Sequence, residues 1–190
     1  MGLRVVVVGV PGVGKSTVVN GLVSEYHGSR LVNFGSVMFD QARARKWVKD
    51  RDDMRKMPVE KQKRLQRGAA LEISRMKDKV VVVDTHLFIR TNEGFWPGLP
   101  FEVVRALKPT HLVLVEASPE EILRRRGSDK TRYRDKLTTK GMTEELELAR
   151  SFLTVSSTLT GAPMLVVNNG DGKSDEVASA LSNMLRSAGS

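Results

Sequence analysis

The sequence predicts a doubly wound α/β domain built on a five-stranded parallel sheet. Five short apolar runs alternate along the chain with helical stretches, the order expected when crossover helices join parallel strands. The strongest runs are continuously apolar, as expected of strands that are covered on both faces of the sheet. With 190 residues, 40% of them hydrophobic and 28% charged, the chain has the size and composition of one globular domain.

The predicted strands are short runs rich in β-branched residues and bounded by turn or polar residues. They cover residues 5–8, 31–33, 80–83, 112–115 and 165–167. The first and third of these runs each consist of four valines, which favour extended backbone. We therefore expect these two strands to be covered on both faces, and we expect residues 80–83 to form a central strand.

The predicted helices lie after these strands. They cover residues 15–25, about 59–76, 119–126, 143–159 and 175–186. In the second helix, Leu65, Ala69, Ile73 and Met76 recur at spacings of four, four and three residues, which places them on one apolar stripe. Pro119 occupies a position typical of the first turn of a helix.

Composition excludes several classes of protein. The chain has no cysteine, which excludes a disulfide framework, thiolate catalysis and cysteine-bound zinc or iron–sulfur sites. The apolar run at residues 5–8 is interrupted by glycine and proline before it reaches the length of a signal-peptide core or a membrane span. We expect a cytoplasmic protein without a membrane segment.

The positive charge is concentrated in two stretches. The formal charge is +9, of which residues 43–67 contribute +7 and residues 124–140 contribute +6, so the rest of the chain is slightly acidic. Nucleotides, nucleic acid and acidic surfaces would all fit such a charge, and solvated helix faces would produce it without any ligand. Two separate clusters favour two places that gather phosphate charge. Because residues 127–141 are polar and charged, they are a candidate lid.

One motif carries specific chemistry. Between the first predicted strand and the first predicted helix the chain reads Gly9, Val10, Pro11, Gly12, Val13, Gly14, Lys15 and Ser16, followed by Thr17. This matches G-x-x-x-x-G-K-[ST], in which glycines let backbone N–H groups surround a phosphate, lysine reaches the β- and γ-phosphates and the hydroxyl binds Mg²⁺. The following helix N-terminus adds a favourable dipole. The alternative is a purely structural glycine-rich turn.

Asp84 follows the valine run at residues 80–83, so it lies at the carboxyl end of a predicted strand. Ligands bind at this edge of a doubly wound sheet, and Asp84 is a candidate to hold Mg²⁺ directly or through its water. A helix cap or turn aspartate is the alternative. The guanine-binding sequence N-K-x-D is absent, which disfavours a regulatory GTPase. The loop at residues 168–172 fits either a wrap around adenine or a plain turn.

Other stretches follow the pattern of a known family. They are VNFGSVM at residues 32–38, DDMRKM at 52–57, DTH at 84–86, GFWPGLP at 94–100, RRR at 124–126 and DKTRYRD at 129–135. Together with residues 9–17, these stretches resemble the archaeal-type adenylate kinases, relatives of the nucleoside monophosphate kinases, over essentially the whole chain.

The resemblance implies a P-loop NTPase fold of the nucleoside monophosphate kinase type. It implies one kinase domain over residues 1–190, with an AMP-binding helical segment at about 35–78 and a short lid at about 127–141. It also implies the reaction Mg·ATP + AMP ⇌ Mg·ADP + ADP, with ATP, AMP and ADP as the ligands. It implies a homotrimer. A zinc-stabilised lid is excluded by the lack of cysteine.

The resemblance also implies roles for individual residues. Residues 9–17 would bind the ATP phosphates, with Ser16 and Asp84 toward Mg²⁺. The residues beside AMP would be Gly35, Ser36, Met38, Arg55 and, as a second clamp on its phosphate, Arg90. The arginines that descend on the transferring phosphates would be Arg124, Arg132 and Arg134, with Arg150 as a further candidate. Lys15, Asp84, Arg90, Arg124, Arg132 and Arg134 would thus form the catalytic set.

Two alternatives remain open. The chain could phosphorylate a different nucleoside monophosphate, since a few pocket atoms decide which base is accepted. It could also be a nucleic-acid or assembly factor that uses ATP as a switch, which the isoelectric point near 10.0 would fit. No RNA-binding signature and no interleaved aromatic residues are present, so we do not expect a nucleic-acid partner.

Overall fold

The computed structural model describes residues 2–91, 93–128 and 138–189. Its elements, in chain order, are β1 (Leu3–Val8), α1 (Lys15–Glu25), β2 (Ser29–Asn33), α2 (Phe34–Ala44), α3 (Arg51–Arg55), α4 (Val59–Ser74), β3 (Val80–Asp84), β4 (Phe88–Thr91), β5 (Gly94–Pro97), α5 (Phe101–Leu107), β6 (His111–Glu116), α6 (Pro119–Ser128), α7 (Thr139–Thr160), β7 (Met164–Asn168) and α8 (Ser174–Ala188).

The predicted five-stranded parallel sheet is confirmed. Its strand order is β2-β3-β1-β6-β7, and every pair of neighbours is parallel. The valines of β1 and β3 are buried on both faces of the sheet, since successive residues alternate faces and Val5, Val6, Val82 and Val83 are all fully inaccessible. The chain passes from β1 to β2 and β3 on one side of β1, and later to β6 and β7 on its other side. The loop after β1 therefore lies at the point where the strand order reverses.

The segment between β2 and β3 has a small core of its own. Ala42, Val48, Met57 and Leu65 pack together apart from the main cluster that surrounds the sheet. Met38 is partly buried and contacts both clusters. Helices α2 to α4 thus pack around a small core of their own, beside the carboxyl edge of the sheet.

Three helices and one hairpin were not predicted individually from local sequence patterns. They are the helices α2, α3 and α5 and the antiparallel hairpin of β4 and β5, of which α2 and α3 lie in the segment at about 35–78 that the resemblance implies to be helical. The Asn33 side chain caps α2 by accepting a hydrogen bond from the Ser36 backbone N–H at 3.0 Å. In the hairpin, Gly94 has a φ of +118°, and the rings of Phe88 and Phe95 meet edge to face with centroids 5.0 Å apart.

Helix α7 is longer than predicted, because it begins at Thr139 rather than at residue 143. The Thr138 hydroxyl caps it by accepting from the Gly141 backbone N–H at 3.2 Å. Helix α6 extends to Ser128, so both ends of the predicted lid at 127–141 are helical. Among the described residues, no helix is long and apolar enough to cross a membrane.

Candidate active site

The loop of residues 9–17 joins β1 to α1 as the motif predicts. Gly12 and Gly14 have φ values of +98° and +80°, a region that glycine enters without a steric cost. Gly9 is required by close approach, since a Cβ atom there would lie 2.7 Å from the carbonyl oxygen of Val115. Helix α1 begins at Lys15 with no side-chain cap, which leaves its first N–H groups available to a phosphate.

Lys15 and Asp84 form an ion pair between the loop and the end of β3. The Lys15 residue is only 8% exposed, and burial lowers the pKa of its ammonium group to about 8, while the adjacent carboxylate acts in the opposite direction. The predicted placement of Asp84 at the carboxyl edge of the sheet is confirmed. The buried lysine cation is thus held beside the phosphate loop.

Asp84 also connects the loop to the α2–α4 segment. The Asn33 side chain donates from Nδ2 to the second oxygen of Asp84 at 2.9 Å, and its Oδ1 accepts from the Ser36 hydroxyl at 3.1 Å. Arg51 donates to that hydroxyl at 2.6 Å. A continuous chain of polar contacts therefore runs from Lys15 to Arg51, and Asn33 is a member of it that sequence reasoning missed.

The three consecutive arginines of α6 have different partners. Arg124 forms an ion pair with Asp171, and Arg125 donates to the same carboxylate at 2.7 Å, which holds the pKa of Asp171 below its usual range. Arg126 instead donates to the carbonyl oxygen of Pro11 at 2.6 Å. Arg126, which we did not single out, is thus the member of the triplet that contacts the phosphate loop.

Comparison with known proteins assigns the family. The chain is 44% identical to the adenylate kinase of Thermoplasma acidophilum over 93% of this chain and 94% of that protein. It is 42% identical to the adenylate kinase of Methanocaldococcus jannaschii over 96% of this chain and 97% of that protein. The chain belongs to the adenylate kinase family. Residues 8–142 also match the family described as AAA domain.

Solved structures agree with a kinase fold for this member of the adenylate kinase family. The shikimate kinase of Acinetobacter baumannii superposes with a TM-score of 0.61, covering 99% of this chain and 95% of that one, at 14% sequence identity. The shikimate kinase of Bacteroides thetaiotaomicron gives 0.62 at 12% identity, with 97% and 98% of the two chains covered. At such identities the likeness concerns the fold alone.

Two further arginines that the adenylate kinase resemblance singles out are paired with buried glutamates. Arg90 on β4 lies with its Nε 3.7 Å from Oε1 of Glu145. Arg150 binds Glu116 through two hydrogen bonds of 2.8 and 2.6 Å, which raise the pKa of Arg150. In this arrangement Arg124 and Arg150 point to protein carboxylates, so either would have to leave its partner to reach a phosphate.

Of the remaining predicted site residues, the structure describes some and not others. Ser36 belongs to the polar chain described above. Gly35 has room for a side chain, since a Cβ atom there would meet only the Asn33 oxygen at 3.4 Å. The predictions on Arg132, Arg134 and the side chain of Arg55 lie outside the described residues.

The loop at residues 168–172 is hydrogen-bonded to the phosphate loop. Asn169 is only 1% exposed and donates from Nδ2 to the carbonyl oxygen of Val13 at 2.8 Å. Arg125 donates to the backbone carbonyl of Asn169 at 3.1 Å. A Cβ atom at Gly14 would lie 2.5 Å from that Nδ2, so glycine is needed for this contact too. Asn169 is therefore a site residue that sequence reasoning did not isolate.

A cavity of about 850 Å³ lies between α4, the β4–β5 hairpin and α5. Trp47, Trp96 and Phe101 contribute to its walls, together with basic side chains of α4. Lys61 and Arg64 lie over the Trp47 ring at 5.2 and 5.9 Å from its centroid. Among the predicted site residues whose side chains the structure describes, none lines this cavity.

The lowered pKa of Lys15 predicts how nucleotide binding depends on pH. Below a pH of about 8 the lysine is a cation that attracts phosphate, and above it the free protein increasingly holds a neutral amine. The dissociation constant of magnesium-free ATP should therefore rise above that pH, approaching about tenfold per pH unit. Calorimetric titrations from about pH 7 to about pH 9.5 measure this. An affinity that stays constant over this range would contradict it.

Proposed function

We propose that the protein is an adenylate kinase that transfers the terminal phosphoryl group of Mg·ATP to AMP and releases two ADP. The observation that carries the proposal is the sequence identity of 42–44% to two adenylate kinases over nearly the full length of the chain, combined with a complete phosphate loop. The Lys15–Asp84 pair and the arginines around the loop provide the charges that such a transfer needs.

The site's own residues account for the chemistry by positioning and charge. The transition state spreads negative charge over the equatorial oxygens of the transferring group, so its stabilisation depends on fixed cations and N–H donors. Lys15 and the first turn of α1 supply these on the ATP side. The AMP phosphate is already anionic and needs no base. It needs arginines that neutralise it, and we propose that Arg55 and Arg90 do this.

Magnesium is part of the proposal because the donors beside the loop suit it. The Ser16 hydroxyl at the start of α1 and the Asp84 carboxylate are hard oxygen ligands of the kind that Mg²⁺ prefers. When bound, the ion would neutralise part of the phosphate charge. Asp84 would hold it and Lys15 at the same edge of the sheet.

We also propose that the lid shields the phosphates from water. An ATP site open to water would hydrolyse its substrate, and a charged segment that covers the bound phosphates would prevent this. Arg124, Arg132 and Arg134 are the proposed contacts of this segment with the transferring group. The positions of α6 and α7 at the two ends of the segment support this assignment.

Steady-state formation of ADP from Mg·ATP tests the proposed function against its alternatives. The acceptors are AMP, CMP, UMP, GMP and none. We expect ADP chiefly with AMP. Preference for another monophosphate would assign a different acceptor, and equal turnover without an acceptor would mean hydrolysis and favour an ATP-driven switch.

Arg55→Ala should mainly raise the KM for AMP, because the proposed contact of Arg55 is with the AMP phosphate. A lost charged hydrogen bond of this kind costs about 1.5–3 kcal/mol, or roughly a tenfold to hundredfold change. Initial rates with each substrate varied in turn measure it, with Arg75→Ala at the exposed end of α4 as the control. A raised KM for ATP with an unchanged KM for AMP would reverse the assignment.

We further propose a homotrimer in the cytoplasm. The exposed apolar residues Val155, Leu159, Met164, Leu165 and Val166 on α7 and the edge strand β7 support contact with further copies of the chain. Sedimentation should give three times the chain mass of 21.1 kDa. A monomer mass would contradict the proposed trimer. Recovery in a membrane or secreted fraction would contradict the proposed cytoplasmic location.

A further inference from the structure

Glu145 is a buried carboxylate that faces two arginines from different parts of the fold. It lies on α7 and is only 5% exposed. Its Oε2 accepts from Arg126 of α6 at 3.2 Å, and its Oε1 lies 3.7 Å from Nε of Arg90 on β4. One side chain thus contacts both the helix that precedes the lid segment and the hairpin that follows β3.

The Arg126 side of this contact leads to the phosphate loop. The Arg126 side chain is 10% exposed, and its Nε donates to the carbonyl oxygen of Pro11 at 2.6 Å. A Cβ atom at Gly12 would lie 3.0 Å from Cγ of Arg126, so the arginine packs directly on the turn of the loop. The position of the loop therefore depends on an arginine that Glu145 holds.

The other arginine, Arg90, is the proposed second clamp on the AMP phosphate. The side chain of Arg90 is 45% exposed, and its guanidinium carbon lies 5.3 Å from the centroid of the Phe95 ring. The same guanidinium forms the ion pair with Glu145. Glu145 thus stands between a residue that contacts the ATP loop and a residue proposed to neutralise AMP.

A buried ion pair is weak evidence of stabilisation, because desolvation of the charges offsets most of their attraction. Apolar residues of similar volume would pack α6 and α7 together at least as well. A carboxylate with each oxygen directed at a different arginine instead fixes the positions of two guanidinium groups. This arrangement indicates that Glu145 positions the arginines rather than stabilises the fold.

We propose that Glu145 is a positioning residue that aligns the two phosphate-binding sites by holding Arg126 against the loop and Arg90 at the hairpin. This inference rests on the proposed function. Glu145 acts through the two arginines and not on substrate. Its negative charge also offsets part of theirs, so its removal leaves cations that bind phosphate at least as tightly but in less defined positions.

Glu145→Gln separates these effects, because it keeps the shape of the side chain and removes its charge. We expect kcat to fall roughly tenfold to hundredfold, as for other misplacements of about 1 Å, while the KM values for ATP and AMP stay unchanged or fall. Glu144→Gln, at an exposed position on the same helix, should behave as wild type. A kcat of Glu145→Gln within twofold of wild type would overturn the proposal, as would a loss confined to the melting temperature.

A double-mutant cycle tests the route through Arg126. In an Arg126→Gln background, Glu145→Gln should lower kcat much less than it does in wild type, because the arginine it positions is gone. Equal losses in both backgrounds would contradict that route. If Glu145→Gln does not fold, Glu145→Asp takes its place, since it keeps the charge and withdraws it by one methylene. Reduced kcat at unchanged KM would support the proposal, and unchanged kcat would overturn it.

The same rates separate failure of this inference from failure of the proposed function. Wild-type protein that forms no ADP from AMP would remove the proposed function and this inference with it. Active wild type beside an equally active Glu145→Gln would remove only the role of Glu145.

Discussion

Lys15→Met is expected to lower kcat by at least about a hundredfold, the scale of other lost charge-stabilising donors. Lys15 is the buried cation of the phosphate loop and pairs with Asp84. Methionine has a similar length and keeps the packing, but it cannot stabilise charge on the transferring phosphoryl group. Rates of ADP formation at saturating ATP and AMP measure the effect.

The control for this variant is Lys77→Met, which removes an exposed lysine. Its turnover should match wild type. Circular dichroism of Lys15→Met should show a folded protein, so that loss of activity is assigned to loss of the charge. Near-normal turnover of folded Lys15→Met would remove Lys15 from the mechanism.

Asp84→Asn is expected to lower kcat by roughly a hundredfold and to raise the magnesium concentration needed for half-maximal rate. The carboxylate is the partner of Lys15, accepts from Asn33 and is the proposed acidic ligand of Mg²⁺. Asparagine keeps the size of the side chain but removes its charge. Rates measured against free magnesium at saturating nucleotide show both effects.

Asp78→Asn is the matched control, because Asp78 lies just before the other end of the same strand, where it pairs with exposed Arg30. It should leave both kcat and the magnesium midpoint unchanged. If Asp84→Asn retained both values as well, Asp84 would have no role beyond packing.

The sheet was predictable because its strands carry strong local signals. The valine runs of β1 and β3 indicate strands that are covered on both faces of the sheet, and their buried positions confirm this. No local pattern predicted the start of helix α2, because Phe34 follows β2 directly and Asn33, which caps the helix, is itself the last residue of the strand. The hairpin was missed because its strands have four residues each and expose much of their surface, which leaves little hydrophobic pattern.

The site was predictable where one motif or one strand end places a residue. The loop motif and the position of Asp84 at the carboxyl end of β3 were enough to bring Lys15 and Asp84 together. Asn169 and Glu145 could not be found in this way, because each acts through contacts between segments far apart in the chain. One signal for Arg126 was available: it lies four residues after Ile122, which is fully buried, so the two share the inward face of α6.

The most direct test of the proposed reaction follows the γ-phosphate itself. In a single turnover with enzyme in excess over ATP labelled at that phosphate, and with AMP present, the label should appear in the β-phosphate of newly formed ADP. Transfer to AMP requires both phosphate sites to be occupied and aligned, so the label should remain on ATP when AMP is omitted. Label released as inorganic phosphate at the same rate with or without AMP would contradict phosphoryl transfer at this site.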